Sequence, residues 1–116
     1  MPHMLLIVEP IGQREERGVE SGKFVYQQML DFTEELKRAG VLMASSSLAT
    51  AAARLQQPPG MAPRVLDGPF AEAKEMIGGF FLLDLATRKD ALAWAARCPA
   101  AAWATVEVRE TGPCFL

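Results

Sequence analysis

The sequence predicts an α+β domain of the ferredoxin-like kind, an antiparallel sheet carrying two helices on one face. Three observations lead there. The apolar patterning along the chain reads strand, helix, short strands, strand, helix, strand. The two clearest strands, His3 to Glu9 and Gly78 to Leu85, are apolar on both alternating sets of side chains, so both of their faces seek cover. The length, 116 residues, is that of a single domain with one core, spanning 1–116. Two helices can cover only one face of such a sheet, and the bare face becomes an association surface.

Each element has a local reason. His3 to Glu9 sets Met4, Leu6 and Val8 against Leu5 and Ile7. Pro10 to Glu20, with two glycines and a cluster of charges, reads as a solvated loop. Ser21 is positioned to cap a helix whose apolar residues Val25, Met29, Phe32, Leu36 and Ala39 step by three and four, with Glu34 and Arg38 pairing outside and Gly40 ending it. Val41 to Leu48 is a strand with Leu42 and Ala44 inward, and its run of serines suggests a sheet edge. Ala49 to Leu55 is open to a helix on alanine propensity alone, and Pro58-Pro59-Gly60 beyond it supplies turn chemistry. In Gly78 to Leu85, Phe80 and Leu82 point one way and Phe81, Leu83 and Leu85 the other. Thr87, with Asp90 three residues on, caps the second helix, Leu92, Ala95 and Ala96 form its small-residue face, and Pro99 stops it. Ala104 to Arg109 closes the pattern, with Ala104, Val106 and Val108 on one side.

Composition narrows the function classes. The net charge is −2 and the basic residues are dispersed, so no phosphate-binding stripe for nucleic acid can be drawn. The apolar runs are far shorter than the roughly twenty residues of a membrane span, and no cationic segment precedes a long apolar stretch at the N-terminus. A cytoplasmic protein is the expectation. Cys98 and Cys114 are the only thiols and lack metal-binding spacing, and His3 is the one histidine, so neither a metal nor a cofactor is expected.

The run Asp67-Gly68-Pro69-Phe70-Ala71-Glu72-Ala73-Lys74-Glu75 is the densest cluster of acid–base groups beside a sharp turn. With Met4-Leu5-Leu6-Ile7, Gly78-Gly79-Phe80-Phe81, Trp94 to Pro99 and Val106 to Arg109, it resembles the DGPF branch of the YCII-related family along nearly the whole chain. The resemblance implies a short strand around Ala53 to Leu55 and another around Arg64 to Leu66 as the alternative to a helix there, a homodimer of stacked sheets, a dimeric α/β barrel, and an accessory link to transcription regulators. In the better-studied branch it implies a site built from a histidine in the first helix and an aspartate after the second or third strand. Here the helix offers Tyr26, Gln27 and Gln28 in that region, so the His–Asp pair is broken while Asp67 matches the acidic position.

Two readings follow. In the first, a small metal-independent acid–base enzyme acts on a polar or carbonyl-containing molecule, with Asp67 transferring a proton and Tyr26, Glu72, Lys74, Glu75 and Arg109 binding the ligand. In the second, the same groups serve a non-catalytic ligand-binding or sensor domain. Against both stands a plain alternative: Asp-Gly-Pro is common turn punctuation, and charged residues beyond it are usually solvated. His3 reads as a packing residue at a strand edge.

Overall fold

The computed structural model describes residues 1–70 and 72–116; Ala71, within the Asp67 to Glu75 run, lies outside the described residues. The elements are β1 (His3–Pro10), α1 (Gln13–Arg17), α2 (Val19–Arg38), β2 (Leu42–Ser47), β3 (Ala53–Gln56), β4 (Arg64–Asp67), β5 (Glu75–Leu83), α3 (Arg88–Arg97), a short 3-10 helix (Pro99–Ala102) and β6 (Thr105–Glu110). Four strands form one antiparallel sheet in the order β2-β5-β1-β6, while among the described residues β3 and β4 pair only with each other. This is the ferredoxin-like order with a hairpin inserted between its second and third strands.

Period-two alternation decides what enters the core. Leu5 and Ile7 of β1, Phe81 and Leu83 of β5, and Val106 and Val108 of β6 share the face on which α2 lays Phe32 and Leu36 and α3 lays Ala95. Phe32 meets Phe81 edge-on with ring centroids 5.3 Å apart and Trp94 at 6.2 Å, geometries that add to simple burial. Alanines on α3 bring that helix close to the sheet. On the opposite face Met4, Leu6, Val8, Phe80 and Leu82 are half-buried by one another. The sheet is open, with β2 and β6 as its edges, so one chain encloses no barrel.

Several local expectations are corrected. The Pro10 to Glu20 segment contains α1, because Gln13 and Arg14 find partners far away in sequence. Gly18, at φ 80°, turns the chain between the two helices and caps α2 three residues before Ser21, which lies inside the helix. Glu34 bonds Lys37 at 3.1 Å, not Arg38, and Glu35 takes Arg97 of α3 at 2.9 Å. An irregularity between Leu42 and Ala44 turns Ala44 outward to solvent, while β2 is an edge strand as its serines suggested. On α3, Ala91 and Ala95 are buried whereas Leu92 and Ala96 are exposed; the Thr87 hydroxyl accepts from the Asp90 amide as expected. Residues 49 to 55 are not helical; β3 and β4 take the strand alternative. His3, the first residue of β1, is buried as a packing residue should be, and its Nδ1 donates to the Leu85 carbonyl at 2.9 Å.

The molecule is flat, 48 × 40 × 18 Å, with a radius of gyration of 16.2 Å where a compact chain of this length would have roughly 13 Å. Among the described residues no helix is long and apolar enough to cross a membrane. The packing predicts that Leu36→Ala costs about 2–5 kcal/mol in urea unfolding, while Leu92→Ala costs less than about 1 kcal/mol. Equal losses would place Leu92 in the core.

Candidate functional site

In β1, Glu9 is in phase with His3, Leu5 and Ile7, so the alternation that builds the core also carries a carboxylate inward, where it is 2 % exposed. A buried carboxylate is costly without a partner. Arg14 of α1 supplies one: its Nε donates to Glu9 Oε1 at 2.8 Å and its Nη2 pairs with the same oxygen. The guanidinium also donates from Nη1 to the Leu48 carbonyl at 2.8 Å and, more weakly, from Nη2 to the Gly78 carbonyl at 3.4 Å. One planar fork thereby joins β1, α1, the segment after β2, and β5.

Gly78 makes room for this. A Cβ there would lie 2.3 Å from Glu9 Oε1 and 2.9 Å from Arg14 Nη2, closer than real contacts allow. It is also the extra residue of a bulge, since Ile7 pairs with Gly79 and Val8 with Ile77. Gly79 lets the edge strand approach, because its Cβ would stand 3.0 Å from the Ser46 carbonyl oxygen.

Above this pair opens a cleft of about 1140 Å³. That is somewhat more than the roughly 300–1,000 Å³ of most small-molecule sites. Tyr26, Met29 and Leu30 of α2 form one wall, residues 45–50 the other, and Ile7 and Phe81 belong to the floor. At one end Trp103 lies beneath Arg17, whose guanidinium carbon is 4.6 Å from the ring centroid. Among the described residues Arg17 forms no ion pair. Beside the cleft, Gln13 Nε2 donates to the Trp103 carbonyl at 2.7 Å, while Gln13 Oε1 and Trp103 Nε1 are buried without a hydrogen-bond partner among the described residues.

Of the residues singled out in the sequence, the cleft gathers only Tyr26, which is 53 % exposed. Asp67 ends β4 in the outlying hairpin, exposed to solvent. Glu72 and Lys74 are exposed on the connection to β5, where the Lys74 carbonyl accepts from the Ile11 amide at 2.9 Å. Glu75 borders a separate depression of about 320 Å³ with Val8 and Pro10. Arg109 is exposed on β6 opposite Met4, on the uncovered face of the sheet. Cys98 is buried, and desolvation raises its thiol pKa above the ordinary value against a smaller opposing pull from a hydrogen bond with the Ala100 backbone. Such a thiol is inert. Among the described residues no group of three or more His, Cys, Asp or Glu side chains is arranged to hold a metal.

Glu9, Arg14, Arg17 and Trp103 are the residues that sequence reasoning missed. Glu9 was legible as an acid falling on the inward set of an apolar strand. The Arg14 contacts to Leu48 and Gly78 span 34 and 64 residues and leave no local signature.

Compared with known families, the model of the YCII-related domain matches residues 1–113. No curated protein matches the chain.

Gly78→Ala is predicted to displace the Glu9–Arg14 pair and lower stability by about 1–3 kcal/mol in thermal or urea unfolding. Gly22→Ala, whose Cβ would meet nothing within 4 Å on α2, should raise it by about 0.5–1 kcal/mol. A neutral Gly78→Ala would show that the pair does not depend on the close approach.

Proposed function

The chain belongs to the YCII-related domain family, and on that premise we propose that it is a small-molecule-binding domain working as a homodimer, with the ligand held in the cleft between α2 and the sheet. The observation that carries the reading is the cleft itself, a mixed surface with an immobilised ion pair at its base. The Glu9 carboxylate is hydrogen-bonded and ion-paired to Arg14, which suits a rigid floor better than a proton-transfer group. Arg17 over Trp103 offers a cation beside a ring face at one end, and the Tyr26 hydroxyl offers a donor on the α2 wall. The ligand class these groups fit is a compact carboxylate or carbonyl compound with an apolar body.

Within the family we place the chain in the DGPF branch, on Asp67-Gly68-Pro69-Phe70. The uncovered face of Met4, Leu6, Val8, Phe80 and Leu82 supports stacking of two sheets into a dimeric α/β barrel. An acid–base enzyme is the second reading, and it runs through Asp67, which one chain keeps away from its own cleft.

A thermal-shift screen of aliphatic and aromatic monocarboxylates and ketones tests the proposal. Arg17→Ala and Tyr26→Phe should each weaken the best hit by about tenfold, roughly 1.4 kcal/mol, with Asp67→Asn neutral. Sedimentation equilibrium at micromolar concentration should give twice the chain mass of 12.6 kDa. Loss of binding in Asp67→Asn with full binding in Arg17→Ala would move the site to the 67–75 run, and chemical conversion of the hit would make the protein an enzyme.

A further inference from the structure

The β3–β4 hairpin is the least accounted-for part of the molecule. Every residue of both strands is exposed, and among the described residues the hairpin pairs with no other strand. A lone two-stranded ribbon is marginally stable in water unless something covers it. Its two faces differ. Opposite residues in an antiparallel pair share a face, so Arg54, Leu66, Gln56 and Arg64 lie on one side, and Ala53, Leu55, Val65 and Asp67 on the other. The first side is engaged with its own chain: the Arg54 guanidinium stacks 3.8 Å from the Phe70 ring centroid, and Arg64 donates to Gln56 at 3.1 Å. The second side presents the cross-strand pair Leu55 and Val65, 67 % and 61 % exposed.

The exposed area indicates what covers it. The chain exposes 8024 Å². A compact monomer of this mass exposes roughly 6,200 Å², so the excess is about 1,800 Å². That exceeds the about 800 Å² per partner of a standard interface and falls in the range of obligate homodimers. The half-buried sheet face of Met4, Leu6, Val8, Phe80 and Leu82 is one part of it, and the wholly exposed hairpin is another.

We propose that this hairpin is a docking arm for a second copy of the chain, and that the Leu55–Val65 face is its contact surface. The inference rests on the homodimer reading and extends it from the sheet face to the arm. Asp67, at the base of the same face, then belongs to the polar rim of the interface.

The test compares the wild type with Leu55→Ser/Val65→Thr by sedimentation equilibrium. Neither side chain is packed within its own chain, so the variant should keep the circular dichroism of the fold while its dimer dissociation constant rises by about tenfold or more. Wild-type dimerisation in the variant would overturn the arm and leave the dimer standing. A monomeric wild type would overturn both. Amide exchange on the unmodified chain gives an independent readout should the variant misfold. Residues 53–56 and 64–67 should be protected above the dimer dissociation constant and exchange freely below it, and unprotected exchange in the dimer would overturn the arm.

Discussion

The Glu9 carboxylate is carried into the protein by the strand that builds the core, and the neighbourhood is arranged around neutralising it. Arg14 leaves the surface to meet it, and the α1 segment is helical where sequence alone suggests an open loop. Leu48 and Gly78 lend carbonyls to the same guanidinium, which fixes the end of β2 and the bulge of β5. A buried ion pair need not stabilise a fold relative to apolar residues, but removing one member of it is costly. What the pair contributes here is position, because it joins four segments at the floor of one cleft.

Much of the fold could be read in the chain because the relevant signals are local. The alternation of β1 and the doubled apolar sets of β5 are statements about neighbours in sequence. So are the Thr87 cap and the Pro99 stop, and all of these appear in the structure. The errors fell where distant partners decide. Ser21 is a good cap, yet Gly18, at a φ of 80°, starts the helix three residues earlier. Ala44 follows Leu42 in simple alternation, yet an irregularity in the pairing with β5 turns it outward.

The site was less legible than the fold for the same physical reason. A charged run beside a Gly-Pro turn draws the eye, but Asp67, Glu72 and Lys74 are exposed and outside the cleft. The ionisable groups that shape it are an acid hidden in an apolar strand and arginines in a segment that looked solvated. Tyr26 bridges the two views, since helical periodicity set it one turn before Leu30 on the wall of the cleft. The flatness of the molecule, 18 Å across its thinnest extent, has no counterpart in the sequence pattern beyond the surplus of apolar strand faces.

The central claim is that Glu9 and Arg14 act as a coupled unit, and a double-mutant cycle with Glu9→Gln, Arg14→Gln and both together measures that coupling directly. Each single change should cost about 2 kcal/mol or more in urea unfolding, by stranding the remaining partner. The double variant should cost less than their sum, with a coupling energy of about 1–3 kcal/mol. Additive losses, with coupling near zero, would show that the pair is incidental to the site and contradict the account.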